Sequence, residues 1–374
     1  MRVLRIDAGS PYQQLVGVGG IGTGIFFQLE GSHTLGREES RPGRLLEVRD
    51  YCKLHIVVHY VAKLLGAQPA GVPFHVLPIG NLGDDPPGRQ VLQEMSDAGI
   101  DAKLVRTLKG KPTLFSVCFQ YPDGKGGNIT ASNSAAGALT VEDLDGVNAI
   151  LASRGTRTVA LAAPEVPLEA RHRFLELATD AGSFRVASFV SAEVKPARDS
   201  GMLDLLDLVS LNEEEAAELV GCHFAAREPR KFLDACLEFL SKTHPHLQMV
   251  VTAGASGAYA LADGICNHCV APKVEVASTA GAGDALLGGV IAALAAGIPL
   301  LREESAQDMT AGRPLGTALD FGVLLASYKC RSPHTIHPDA CLDTLIEFAC
   351  GLGLAFSPQI EHLFSETETA RRES

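Results

Sequence analysis

Between residues 158 and 253 the sequence alternates short apolar segments with longer amphipathic ones. The apolar segments are TVALAA (158–163), RVASFV (185–190), DLVSL (207–211) and QMVVTA (248–253). Between them lie PLEARHRFLELATDAG, NEEEAAELVG and EPRKFLDACLEFLSK, in which apolar residues recur every three or four positions. This alternation predicts an α/β fold with a mostly parallel sheet flanked by helices on both faces. We therefore expect functional residues at the carboxyl ends of the strands.

The length and charge of the chain narrow the classes of protein that it can represent. Its 374 residues allow one large α/β domain or two medium ones, and we expect a single domain over residues 1–360 with a polar tail at 361–374. The 44 acidic and 32 basic residues give a net charge of −12, without a basic cluster along one face. Nucleic acid is therefore not an expected partner, and a small-molecule substrate is.

No segment has the pattern of a secretion signal or a membrane span. The N-terminus, MRVLRIDAGSPYQQL, lacks a long apolar core. The most apolar run, ALLGGVIAALAAGIPLL, follows Asp284 and is interrupted by glycines and by Pro299, so it predicts a buried helix that ends near Gly297. We expect a cytoplasmic protein without a membrane partner.

The nine cysteines are an odd number without framework spacing, which indicates reduced thiols. Only Cys266 and Cys269 lie close together, in CNHC with His268 between them. Zinc needs four well-placed ligands, and no second pair with suitable spacing is present. We interpret the pair as part of a strand or turn, with a metal or redox role as the alternative.

Residues 108–135 depart from the α/β alternation. PTLFSVCFQY and GNITASNSAAG are extended segments, and PDGKG between them supplies turn residues at Asp123 and Gly124. The pattern predicts an antiparallel hairpin. Because it interrupts an α/β chain, the hairpin is either a small lid or an edge of the main sheet.

A glycine pattern near the N-terminus raises the question of a dinucleotide site. In LVGVGGIGTGIFF, Gly17, Gly19 and Gly22 have the spacing G-x-G-x-x-G. A dinucleotide site also needs a helix after the glycines and an acidic residue at the end of a second strand. The segment TGIFFQLEGSHTLG is broken by glycines, and Glu38 and Glu39 stand in a polar loop. The spacing alone is therefore weak support for a nicotinamide dehydrogenase.

A stronger pattern is VASTAGAGDALLGGVIAALAAG, residues 276–297. Gly281, Ala282 and Gly283 leave backbone N–H groups accessible, and the apolar helix that follows adds its positive N-terminal end, so the segment predicts an anion site. Asp284 then lies where it can accept a proton from an attacking hydroxyl. The alternative is an Asp that caps a helix after a glycine-rich turn.

TAGAGDALLGG resembles the C-terminal signature of the ribokinase-like (PfkB) carbohydrate kinases, which are ATP-dependent enzymes. Three further segments resemble family motifs in the family's order: IGNLGDDPPGRQVLQEMSDAGID (79–101), SLNEEEAAELVG (210–221) and VVTAGASGAYA (250–260). The resemblance covers about residues 15–330. It implies a ribokinase-like fold with a small β lid, here at about residues 20–50 and 108–135, and ATP and Mg²⁺ as cofactors. Lid strands in this family often pair between subunits, so a homodimer through the lid strands is also implied.

The resemblance implies a role for each matched residue. Asp284 would be the catalytic base, and the backbone of Gly281, Ala282 and Gly283 the anion hole for the γ-phosphoryl group. Other matches would line the nucleotide or organise magnesium indirectly: Asn212, Glu215, Thr252, Gly254, Gly257 and Thr279, with Glu215 as the magnesium-linked carboxylate. Asn212 and Glu215 also fit an ordinary capping box, and the two glycines a tight turn.

The acceptor side departs from the family pattern. The usual Asp after the first strand and the usual Gly-Gly-Asn at the next helix are missing from GGIGTGIFF and RDYCKLHIVVHYVAKLLGA, and Ser278 stands where an Asp is common. The first departure puts recognition of a plain sugar in doubt. The resemblance places Gly20, Gly83, Asp84 and Lys53 at the acceptor, with the glycines of VGVGGIGTG as its floor.

Charged residues crowd the segment before that helix: Arg37, Glu38, Glu39, Arg41, Arg44, Arg49, Asp50, Lys53 and His55. Cationic groups there would suit an acceptor with a carboxylate or phosphate, and an exposed charged loop is the alternative. The first functional hypothesis is an ATP-dependent kinase acting on a hydroxyl of a sugar, sugar acid, sugar phosphate or nucleoside. The others are a non-catalytic nucleotide or metabolite sensor on the same fold and an NAD-dependent dehydrogenase.

Overall fold

A computed structural model describes residues 1–123, 126–302 and 314–366. The strands are β1 (Arg2–Leu4), β2 (Gln14–Val18), β3 (Gly22–Leu29), β4 (Gly43–Tyr51), β5 (His75–Gly83), β6 (Val105–Leu108), β7 (Leu114–Gln120), β8 (Gly126–Thr130), β9 (Thr158–Ala162), β10 (Phe184–Ser188), β11 (Leu208–Asn212), β12 (Gln248–Thr252), β13 (Ala258–Ala262), β14 (Ile265–Cys269) and β15 (Phe364–Glu366). The α-helices are α1 (Lys53–Leu65), α2 (Pro86–Asp97), α3 (Val147–Ala152), α4 (Leu168–Asp180), α5 (Ser191–Asp199), α6 (Glu213–Val220), α7 (Arg230–Thr243), α8 (Ala282–Ala295), α9 (Ala318–Cys330), α10 (Leu342–Gly351) and α11 (Pro358–Glu361).

The main sheet has the order β14-β13-β12-β11-β10-β9-β2-β5-β6 within the described residues. The strands from β12 to β6 in this order run parallel, and β13 and β14 add an antiparallel edge. The mostly parallel sheet predicted from the alternating pattern is confirmed. Strand β2 lies between β9 and β5.

Helices cover both faces of the main sheet, because its strands are apolar on both sides. Strand β9 is buried at every position, and alternate residues join different cores: Val159 packs with the α1 and α8 side, and Ala160 with the α4 and α7 side. Burial of each large aliphatic side chain contributes about 1.5–3 kcal/mol, so this two-sided burial holds the strand ends that carry the site in fixed positions.

A second sheet of four strands has the order β4-β3-β7-β8 and is called the lid sheet below. The predicted hairpin is present as antiparallel β7 and β8, and β7 pairs in parallel with β3. The hairpin therefore joins a separate sheet and does not extend the main one. Residue 124 of the predicted turn lies outside the described residues. The lid function of this sheet, and the pairing of two such sheets in a homodimer, stay predictions.

The terminal segments are joined to each other. Strand β15 pairs antiparallel with β1, so the segment interpreted as a tail from residue 361 is ordered as far as Glu366, and its remainder lies outside the described residues. Across the described ranges, no helix has the length and apolarity needed to cross a membrane.

The CNHC segment is a sheet edge. Cys266 and Cys269 lie on strand β14, three positions apart, so their side chains face opposite sides of the sheet and pack into different cores. The interpretation as part of a strand is confirmed, and this geometry does not allow the two thiols to share a metal.

Candidate active site

The apolar signature helix begins beside a cavity and a cluster of charged side chains. Gly281 precedes α8 with φ of +76°, a left-handed conformation that glycine adopts without strain, and α8 starts at Ala282. A Cβ atom at Gly281 would lie 2.8 Å from the carbonyl oxygen of Thr335, so no residue with a side chain fits here unless that backbone moves. Asp284 is in the first turn of α8 and is only 8% exposed. Burial raises the pKa of its carboxyl group, and the nearby charge of Lys53 opposes that rise.

Lys53 brings a positive charge to this carboxylate. It is the first residue of α1, and its Nζ lies 3.7 Å from Oδ2 of Asp284. Asp284 is the main cause of the raised pKa of Lys53, with burial acting in the opposite direction and Glu165 adding to the rise. The ammonium is therefore charged at neutral pH.

Glu165 completes the cluster from the loop after β9. Its Oε2 accepts a hydrogen bond of 3.0 Å from the backbone N–H of Lys53, which satisfies an otherwise unpaired donor at the start of α1. Glu165 has a φ of +74°, a conformation uncommon for a residue with a side chain. Burial raises the pKa of its carboxyl group, Lys53 lowers it and Asp284 raises it.

The opening glycines pack against this cluster. A Cβ atom on Gly20 would lie 2.5 Å from both Cβ and Oε2 of Glu165, and one on Gly19 would lie 2.8 Å from Cβ of Ala163. After the glycines the chain continues as strand β3 rather than as a helix. The glycines therefore allow this segment to pack closely against Glu165 and Ala163. A dinucleotide site requires a helix directly after the glycines, and the described chain has strand β3 in that position.

The lid sheet contributes a third buried carboxylate. Asp50, near the end of β4, is 5% exposed and accepts a hydrogen bond of 2.5 Å from Ser116 Oγ and one of 3.2 Å from Cys118 Sγ. Asp50 raises the pKa of Asp284 through its negative charge. The lid sheet and the start of α8 thus share one electrostatic environment.

Gly283, the residue before Asp284, lines a cavity of about 750 Å³. It contains predicted nucleotide-site residues together with an apolar wall, namely Asn212, Thr252, Gly254, Gly257, Thr279, Ala282, Gly283, Val274, Leu286, Val323 and Ala326. Its volume is in the range of small-molecule sites. Gly257 has φ of +92°, and a Cβ atom there would collide with the carbonyl oxygen of Cys269. Gly257 therefore lets the end of strand β14 approach the T-x-G-x-x-G segment closely beside this cavity.

Asn212 and Glu215 form the capping box that the sequence allowed. Oδ1 of Asn212 accepts hydrogen bonds from the N–H groups of Glu214 and Glu215, and Oε2 of Glu215 accepts 2.9 Å from the Asn212 N–H. Burial raises the pKa of Glu215, and its charge also acts on Lys53.

Whether magnesium fits this site depends on the carboxylate of Glu215. No group of three metal-ligating side chains among the described residues has the geometry to hold a cation. Mg²⁺ usually binds through one or two carboxylates plus substrate phosphates and water, so the buried Glu215 fits a cation that arrives with the nucleotide.

Gly83 is the last residue of β5, and Asp84 begins the turn between β5 and α2. Asp84 is exposed, and its Oδ1 accepts 3.1 Å from Nη1 of Arg89. The neighbouring Asp85 faces inward instead, where it caps α2 and accepts hydrogen bonds from Thr113. Contact of Gly83 and Asp84 with an acceptor stays a prediction.

The charged segment does not converge on the cluster around Asp284. Arg41 pairs with Glu39 within the loop, and Arg49 pairs at 2.8 Å with Glu94 of α2. His55 faces a different cavity of about 300 Å³ between α1 and α2. Within this part of the chain, Asp50 and Lys53 reach the cluster. Glu39, Arg41 and Arg49 are thus paired elsewhere, and because Arg44, Arg49 and Asp50 lie on strand β4, the segment is not a charged loop throughout.

Sequence reasoning missed Glu165 as a site residue and did not single out Asp50 from its charged neighbours. Glu165 stands in APEVP, which carries no recognisable motif, and its proximity to Lys53 depends on the loop after β9 meeting the start of α1. The available signal was its place just beyond the carboxyl end of a predicted parallel strand.

Comparisons with known proteins identify the family and the fold. Residues 58–340 match the sequence profile described as pfkB family carbohydrate kinase. A ribokinase from Giardia lamblia superposes with a TM-score of 0.71 at 17% identity, over 89% of this chain and 99% of that one. An Arabidopsis thaliana ribokinase complexed with ribose and ATP gives 0.63 at 18% identity, over 94% and 98%. A protein assigned as ribokinase II from E. coli, in complex with ATP and Mg²⁺, gives 0.67 at 17%, over 91% and 99%. The ribokinase-like α/β fold implied by the sequence resemblance is confirmed.

Proposed function

The chain belongs to the pfkB family of carbohydrate kinases, and on this basis we propose that it transfers the γ-phosphoryl group of ATP to a hydroxyl group of a small carbohydrate-like acceptor. The observation that carries the proposal is the position of Asp284. Its buried carboxylate lies at the N-terminus of α8, between the 750 Å³ cavity and the cluster of Lys53 and Glu165.

Asp284 is the proposed base. An acceptor hydroxyl held against its carboxylate would transfer its proton there while the oxygen attacks the γ-phosphorus in line with the departing ADP. The raised pKa of the buried carboxyl group makes it a better proton acceptor than an exposed aspartate. The low exposure of the site limits competing transfer to water.

The backbone around Gly283 is the proposed anion hole. Residues Gly281 to Gly283 lie at the positive end of α8, where the N–H groups of Gly281 and Gly283 can bind oxygens of the phosphoryl group, while that of Ala282 donates at 3.1 Å to the carbonyl oxygen of Thr279. Such donors are most effective when they are held in place before charge develops. Glu215, in the first turn of α6, is the proposed link to magnesium, which would neutralise charge on the phosphates.

Lys53 suggests the class of acceptor. Its ammonium neutralises Asp284 in this structure, so an acceptor that carries a carboxylate or a phosphate would take over that charge and leave the base available. Sugar acids and sugar phosphates are therefore the favoured acceptors, ahead of sugars and nucleosides. A neutral sugar would have to compete with the ion pair for Asp284.

The test is ADP release from ATP and Mg²⁺ across neutral sugars, the corresponding sugar acids, sugar phosphates and nucleosides. Turnover on one class that falls at least a hundredfold in Asp284→Asn, with ATP affinity within a few-fold of wild type, is the expected result. Asp180→Asn, which removes an exposed carboxylate at the end of α4, is the matched control. Silence across the panel, with ATP still raising the melting temperature, would favour the nucleotide sensor. A response to NAD but not to ATP would favour the dehydrogenase.

A further inference from the structure

Lys329 is a fully buried lysine behind the proposed anion hole. It is the penultimate residue of α9, its side chain has no exposed surface, and its Nζ donates a hydrogen bond of 3.0 Å to the carbonyl oxygen of Ser278. Burial of an ammonium group costs free energy that one hydrogen bond to a neutral carbonyl does not fully offset. A lysine kept in such a place is therefore a candidate for a functional role.

The carbonyl that Lys329 contacts belongs to the segment leading into the anion hole. The N–H groups of Ala277 and Ser278 donate to the carbonyl of Cys330 at 2.8 and 3.2 Å, so the end of α9 holds this segment by main chain and side chain together. Gly281 follows three residues later and packs on the carbonyl of Thr335. One face of the segment thus rests on α9 and the loop after it.

The charges around Lys329 come from several elements. Asp284 on α8 and Asp50 on β4 act on it from two sides, and Cys330 adjoins it on α9. From the loop after α9, His334 and His337 have pKa values lowered mainly by burial and also by the charge of Lys329. Burial lowers the pKa of Lys329 to about 8, with the two carboxylates and the thiol opposing that shift.

We propose that Lys329 is a positioning residue for phosphoryl transfer: its buried ammonium fixes residues 278–283 in the conformation that forms the anion hole and adds a fixed positive charge behind it. This rests on the proposed function. The role belongs to the charged form, because an uncharged amine at the same place would supply neither the charge nor as strong a hydrogen bond to Ser278.

Two independent measurements test the proposal. The first is amide hydrogen exchange in Lys329→Met, which keeps the length of the side chain and removes its charge. We expect at least tenfold faster exchange at the hydrogen-bonded N–H groups of Ala277, Ser278 and Ala282, with residues 258–262 of strand β13 unchanged. The control is Lys63→Met, on the last turn of α1. Exchange at these three N–H groups equal to wild type would overturn the positioning role, whether or not the protein has kinase activity.

The second measurement is turnover against pH. In the wild type we expect kcat to fall as pH rises through about 8, where Lys329 loses its proton. Lys329→Met should reduce kcat at least tenfold at pH 7 and remove this alkaline limb. In Lys329→Ala, n-propylammonium should restore part of kcat, and tetramethylammonium should not, because it cannot donate a hydrogen bond to Ser278. An unchanged alkaline limb in Lys329→Met would contradict the proposal.

The outcomes distinguish the proposed role of Lys329 from the proposed kinase activity on which it rests. If the wild type turns over no acceptor, the proposed kinase fails, and hydrogen exchange still decides whether Lys329 orders the segment. If Asp284→Asn abolishes turnover while Lys329→Met matches the wild type in both measurements, the kinase stands and the role of Lys329 is refuted.

Discussion

Replacement of Lys53 by Met should move the acidic limb of the pH–rate profile toward higher pH. The proposed base has to be ionised, and the ammonium of Lys53 stabilises the ionised form of Asp284 from 3.7 Å. The side chain of Lys53 is 35% exposed, so solvent screens part of this interaction. Without the lysine, burial of Asp284 would act unopposed by its nearest positive charge.

The distance sets the size of the effect. At an effective dielectric constant of about 20, two unit charges at this separation interact with roughly 4.5 kcal/mol. Screening at a partly exposed lysine reduces this interaction by a factor of about two or three. The acidic limb of kcat/KM should therefore move up by about one pH unit or more in Lys53→Met, and kcat/KM should recover at higher pH.

The assay is steady-state ADP release from pH 5 to pH 9 at subsaturating acceptor, because kcat/KM then reports ionisation in the free enzyme, where Lys53 pairs with Asp284. Lys53→Arg keeps the charge and should retain the wild-type limb. Lys63→Met removes a lysine from the same helix at the separate cavity and should leave the limb in place. If the Lys53→Met profile superimposes on the wild type, Lys53 does not set the ionisation of the base.

Three further substitutions test the supports of the site. Gly281→Ala should cost more stability than Gly221→Ala, by about 1 kcal/mol or more in thermal or urea unfolding, because both glycines have positive φ but only the first meets a backbone oxygen; equal losses would contradict this. Gly257→Ala, beside Cys269, should weaken ATP binding measured by calorimetry while strand β13 keeps its pairing; unchanged affinity would show that ATP does not bind next to Gly257. Arg171→Met should destabilise by about 3 kcal/mol, since the fully buried Arg171 pairs with Glu193; a neutral result would contradict the pairing argument.

The nucleotide side of the site was more predictable than the acceptor side. The predicted nucleotide-site residues lie in short contiguous motifs, namely Gly281 to Asp284, Asn212 with Glu215, and Thr252 to Gly257. Their local sequence therefore shows the turns and helix starts that bring them to the strand ends. The cavity then unites segments that were each recognisable alone. Their roles in binding stay predictions.

The acceptor side depends on contacts between distant segments. Glu165 reaches Lys53 across 112 residues, and Asp50 meets Ser116 across 66. Nothing in the local pattern around these residues distinguishes a carboxylate facing the site from one facing solvent. Within one short segment, Asp50 and Lys53 face inward while Arg49 pairs with Glu94 on α2, a difference set by the strand and helix to which each residue belongs.

The sequence by itself determined the alternating strands and helices, the hairpin, the buried signature helix and the glycine-rich turn at its start, because these depend on periodicity and on residues close together in the chain. Only the tertiary structure decided which charges share a site. It placed Lys53 and Glu165 beside Asp284 and buried Lys329 behind Ser278, since long-range packing controls the separation and solvent exposure of charges.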